Sequence, residues 1–84
     1  MLSTTMPVKS NLKAVIYERN AERQRAGLKP WTIRELAEAA ELSSSVVSGL
    51  TSQRAVQVRF DTLYKLCRVL SCQVGDILVY SEDR

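Results

Sequence analysis

Apolar residues recur at helical spacing along most of the chain. Leu12, Val15 and Ile16 stand at i, i+3 and i+4 while Lys13, Glu18, Arg19, Glu22 and Arg23 fill the other faces, which predicts a helix from Asn11 to about Arg25. "AGLKP" ends it, with Gly27 suited to a C-terminal cap and Pro30 a breaker. A second helix is predicted at Thr32–Ala40, with Leu36, Ala37 and Ala40 facing inward. Its start is marked by Thr32 as N-cap, Glu35 as the return half of a capping box, and Trp31 as a staple onto Leu36. A third runs from Ser43, again an N-cap, to Ser52, with Leu42 stapling onto Val47 and with Val46, Val47 and Leu50 as its apolar positions. A fourth starts near Phe60, has Asp61 in its first turn, and buries Leu63, Leu66, Cys67 and Leu70. "SCQVGDILVYSEDR" reads as a short helical turn at Val74–Leu78 followed by a short strand or extended tail at Val79 and Tyr80.

These elements define an all-α fold: a compact bundle of about five helices with a short C-terminal strand, spanning residues 11–80. Residues 1–10, polar and interrupted by Pro7, are expected to form a flexible N-terminal arm, and residues 81–84 a C-terminal tail.

The third helix departs from what stability alone would select. Ser44, Ser45, Ser48, Gly49 and Ser52 occupy its first turns or outward face, where Ala, Glu, Lys or Gln would favour the helix. Gly49 alone costs roughly 1 kcal/mol relative to Ala.

Composition limits what such a face could serve. With 84 residues the chain has room for one modest core but not also for a deep catalytic cleft. There is no histidine, no paired-cysteine metal spacing and no glycine-rich phosphate loop, so an enzyme, a metal site and a cofactor are all disfavoured. No run approaches the roughly 18 apolar residues of a membrane span, and no export signal is recognisable, so a cytoplasmic chain with Cys67 and Cys72 reduced is expected. Cys67 stands at a core spacing, and a disulfide sensor made from the two is disfavoured. The net charge of +3 is unevenly distributed: residues 1–30 carry +4, 31–53 carry −2, 54–70 carry +3 and 71–84 carry −2. Two basic segments therefore flank an acidic centre, a balance that tolerates nucleic acid.

Two short helices, Thr32–Ala40 and Ser43–Ser52, joined by a tight turn have the layout of a helix-turn-helix. "TIRELAEAAELSSSVVSGL" followed by "FDTLYKLCRVLSCQVGDIL" resembles the Cro and phage-repressor-like (XRE) helix-turn-helix family from Asn11 to about Tyr80. The resemblance implies a sequence-specific regulator of transcription, a repressor, that docks its third helix in the major groove of double-stranded DNA. It places Ser44, Ser45, Val46, Ser48, Gly49 and Ser52 toward the bases. Thr32, Ile33, Gln53, Arg54, Gln57 and Arg59 fall on the DNA backbone. One short recognition helix specifies few base pairs, so a homodimer on paired half-sites is expected, with the Ile77–Tyr80 run as a candidate contact. The alternative is a protein-interaction module, such as an antitoxin or adaptor, using the serine face or "DILVYSEDR" on a protein partner. The chain departs from the family's pattern in three places. Glu41 stands where glycine is common, serines replace the usual Gln, Asn or Arg near the start of the third helix, and "NAERQRAGLKPW" is a long connection.

Overall fold

The computed structural model describes residues 8–80. In chain order the elements are β1 (Val8–Ser10), α1 (Leu12–Arg25), α2 (Ile33–Ala40), α3 (Ser44–Thr51), α4 (Phe60–Leu70), α5 (Val74–Ile77) and β2 (Leu78–Tyr80). The core is built from the periodic positions of every helix: Leu12 and Val15 of α1, Leu36, Ala37 and Ala40 of α2, Val47 and Leu50 of α3, Leu63, Leu66 and Leu70 of α4, and Ile77 of α5. Ile16, Trp31, Leu42 and Cys67 pack half-buried against it. Ala37 is buried where α2 meets α3, so its missing side-chain bulk lets the two helices approach closely.

The helix starts follow the sequence signals. Thr32 Oγ1 accepts the Glu35 amide at 3.1 Å, and Ser43 Oγ accepts the Val46 amide at 3.2 Å. Each side chain takes up an amide donor of the first helical turn, which the helix's own i→i−4 ladder does not reach; the Val46 amide also meets the Ser43 carbonyl at 3.2 Å. The reciprocal half expected of Glu35 is missing among the described hydrogen bonds, so Thr32 is a simple cap. Such a return bond forms instead at α5, where the Gln73 amide donates to Asp76 Oδ2 at 2.9 Å.

Four helices end in the same way, with a left-handed residue followed by an amide that reaches back to a carbonyl five residues earlier. The left-handed residues are Gly27, Glu41, Gln53 and Ser71. The returning bonds are Leu28 to Arg23 at 2.8 Å, Leu42 to Ala37 at 2.8 Å, Arg54 to Gly49 at 3.0 Å and Cys72 to Cys67 at 3.2 Å. The turn at Glu41 is thus built in the left-handed geometry that favours glycine, with φ 59°.

The structure differs from the sequence expectation at the N-terminal side. Val8–Ser10, expected in the flexible arm, form β1 and pair antiparallel with β2 in the register Val8 with Tyr80, Lys9 with Val79, and Ser10 with Leu78. The rest of the expected arm, residues 1–7, and the tail, residues 81–84, lie outside the described residues. The C-terminal strand is present, but one of its edges is already occupied by β1 of the same chain.

Candidate nucleic-acid interface

The outward face of α3 is small and polar. Its N-cap hydroxyl, Ser43, is taken up by the helix itself, and the Ser52 hydroxyl donates to the Ser48 carbonyl at 2.8 Å. Ser44 and Ser45 are exposed and make no described hydrogen bond, so their hydroxyls are free for an external partner. Val46 is half-exposed, whereas its neighbour Val47 is fully buried in the core. Gly49 stands on the same outward side, and a Cβ built there would meet nothing within 4 Å.

The left-handed Gln53 turns the chain at the end of α3, and residues 54–59 then lie beside it. Ser45, Val46, Gly49, Arg54, Gln57 and Arg59 line one groove between α3, this loop and the start of α4. The groove therefore unites three of the expected base-facing residues with three of the expected backbone contacts. Ser44 and Ser48 of α3, and Ser52 at its C-terminal cap, lie outside its lining.

Arg54 and Arg59 differ in their surroundings. A terminal guanidinium nitrogen of Arg54 lies 3.4 Å from Ser48 Oγ, a long hydrogen bond, and Arg54 has no ion-pair partner among the described residues. Arg59 pairs with Asp61 at 3.1 Å, and Asp61 also meets the half-buried Lys65 at 3.8 Å, with Arg59 and Asp61 exposed to solvent. Arg59 stands immediately before α4 and gives it no side-chain cap, so the first amides of that helix add their partial positive charge to this side of the groove.

The remaining expected contacts are arranged otherwise. Thr32 is exposed but spends its hydroxyl as the α2 cap, and the Ile33 side chain is half-buried against the core, leaving mainly backbone amides at that helix start. Gln53 is drawn away from the groove. Its amide oxygen accepts the Ser10 N–H at 3.2 Å, and its amide nitrogen donates to the Ser10 carbonyl, so both polar ends are used within the chain.

Sequence reasoning missed two features near these sites. Val56 and Phe60 are 74% and 89% exposed on either side of Arg59. Apolar residues off the periodic positions, set in a basic stretch, were the available signal. The Arg23 guanidinium stacks 4.1 Å over the Trp31 ring, while the Asn20 side chain brackets the Trp31 backbone through hydrogen bonds of 2.6 and 3.0 Å. These contacts hold the long connection between α1 and α2 in place.

Both cysteines are free and half-buried. Burial first, then the neighbouring Cys67, pushes the Cys72 thiol up to about 11, so it stays protonated at neutral pH and is a poor nucleophile. Among the described residues no cluster could hold a metal ion, and no helix is long and apolar enough to cross a membrane.

The Cro/C1-type HTH DNA-binding domain matches residues 23–83, which takes in the whole groove. This chain belongs to that family. It is 36% identical over 52 residues to YozG of Bacillus subtilis (strain 168), an uncharacterized HTH-type transcriptional regulator. That match covers 62% of this chain and 62%, less than two thirds, of the relative. A crystal structure of a candidate DNA-binding protein from Bacteroides fragilis has the same fold, with a TM-score of 0.64 at 22% identity over 84% of this chain and 97% of that one. The clp gene regulator ClgR from C. glutamicum is similar at a TM-score of 0.51 and 31% identity, covering 80% of this chain and 78% of that chain. The chain therefore carries a DNA-binding domain of a family that is not one of enzymes in general, with α2 and α3 as its helix-turn-helix.

Proposed function

We propose that the protein is a cytoplasmic, sequence-specific transcription regulator that lays α3 in the major groove of double-stranded DNA and acts as a repressor. The reading rests on one observation above all: the outward face of α3, bare of long side chains, forms one wall of a groove whose other walls carry Arg54 and Arg59. A helix with short side chains can sit deep between the phosphate ridges, and a cation on the rim such as Arg59 can neutralise them. Ser44 and Ser45 then reach base edges directly or through water, and Val46 is available for a thymine methyl.

On this reading Arg59, Gln57 and the amides starting α2 and α4 hold the sugar-phosphate backbone, positioning the helix without carrying sequence information. Gln53 serves the fold instead. A domain with one eight-residue recognition helix covers few base pairs, so two copies on neighbouring half-sites supply the needed specificity. A protein so bound excludes polymerase from an overlapping promoter, which is the basis of the repressor assignment.

The test is selection from a random duplex pool at physiological salt, followed by the same selection with Ser45→Gln. The wild-type chain is expected to enrich a defined sequence and the variant a different one, with helicity unchanged by circular dichroism. Enrichment of no sequence by the wild-type chain would remove the function, and an identical sequence for both would move Ser45 away from the bases.

A further inference from the structure

We infer that Arg54, a loop residue, supplies the main base preference of the interface by presenting its guanidinium to a guanine edge from a perch on α3. The inference rests on the DNA-binding reading above and names the residue through which that reading gains selectivity. Three observations lead to it.

The first is a shortage. Major-groove readout needs side chains that can present two donors or acceptors at a fixed spacing, and a serine hydroxyl presents one short, freely rotating group. The outward positions of α3 offer only serines, Val46 and Gly49, and the Ser52 hydroxyl is committed to the Ser48 carbonyl. The helix by itself therefore discriminates weakly.

The second is the course of the backbone after α3. The left-handed Gln53 folds the chain back so that the Arg54 amide donates to the Gly49 carbonyl at 3.0 Å, and the Ala55 amide to the same oxygen at 3.2 Å. Arg54 thereby starts beside Gly49, and its guanidinium returns to within 3.4 Å of Ser48 Oγ. The side chain lies along the helix face. Packing inside the chain does not require glycine at position 49, since a Cβ there would meet nothing within 4 Å. What its absence leaves is open space alongside the arginine.

The third is charge. Of the two arginines lining the groove, Arg59 faces the Asp61 carboxylate at 3.1 Å, whereas Arg54, like Arg23, Arg25 and Arg68 elsewhere on the described surface, faces none. Its bond to Ser48 uses one of five donors, and the planar fork that remains matches the N7 and O6 acceptors of guanine. Ser48 is a positioning residue in this scheme, fixing the direction of the guanidinium.

The experiment measures binding of the full chain to its selected duplex, to every single-base-pair variant of that duplex, and to random DNA, for wild type, Arg54→Ala, Arg59→Ala, Ser48→Ala and Ser48→Thr. Arg54→Ala is expected to lose discrimination at one guanine-bearing base pair by roughly tenfold to a hundredfold while keeping it at the others. Arg59→Ala should weaken all duplexes alike. Ser48→Ala should blunt discrimination at the same base pair as Arg54→Ala, and Ser48→Thr, which restores the hydroxyl, should recover it. An equal loss on every duplex for Arg54→Ala would make it a phosphate contact and overturn the inference while leaving DNA binding intact. A wild-type chain with no preferred duplex would overturn both.

Discussion

Glycine is used here against its usual distribution. Of the four left-handed residues that close helices only Gly27 is glycine, while Glu41, Gln53 and Ser71 adopt φ of 59°, 65° and 52° with a Cβ present. Each of those three bears a cost of roughly 1 kcal/mol. Gly49 and Gly75 lie instead inside α3 and α5. At Gln53 the cost is offset by the two bonds its side chain makes to Ser10, but the Glu41 side chain makes no described hydrogen bond or ion pair. Glu41→Gly should therefore stabilise the fold by about 0.5 kcal/mol after the glycine's extra unfolded-state entropy is subtracted, raising the thermal midpoint by about 2–4 degrees. A differential scanning calorimetry trace with an unchanged or lowered midpoint would show that this turn is not strained. Sequence made part of this legible. Gly27 beside Pro30 announces a helix end, and Glu41 stood out against the family's glycine, but glutamine and serine carry no marker for left-handed geometry, so Gln53 and Ser71 did not.

Among the elements, α1 to α4 could be read because each repeats apolar residues at helical spacing over two or more turns, and α2 and α3 also start at a recognisable cap. β1 could not. "VKS" is too short for alternation to register, and its place depends on β2 and on Gln53, 43 residues beyond Ser10. Gln53 acts on Ser10 as a neighbouring strand would, offering an acceptor and a donor to the outer edge of β1. This ties the terminal sheet to the end of α3. Gln53→Ala should cost about 1–2 kcal/mol, the range for two partly exposed hydrogen bonds, and loosen β1 first. Hydrogen exchange is expected to quicken at Lys9 and Val79 while amides of α4 keep their protection in proportion to global stability. Uniform acceleration across all helices, with the sheet no worse than the rest, would contradict a local clamp.

At the scale of the whole molecule, the ordered series of caps, turn and closing helix was enough to place the chain in its family, because several independent signals had to agree. The site was less accessible. Periodicity identifies the outward face of α3 but not the path of residues 53–59, which brings Arg54, Gln57 and Arg59 to that face and turns Gln53 away from it. Loop conformation depends on one left-handed residue and a few long-range bonds, and these leave no pattern in sequence. The serine-rich face acquires its sense only with that loop in place: short side chains leave room, and the arginines occupy its rim. The most direct test is an amide chemical-shift titration of the isotopically labelled chain with its selected duplex at physiological salt. The account predicts the largest changes at Ser44, Ser45, Ser48 and Gly49 and from Arg54 to Phe60, with α5 nearly unmoved. Changes concentrated on β1, β2 or α1, with α3 undisturbed at saturation, would contradict it.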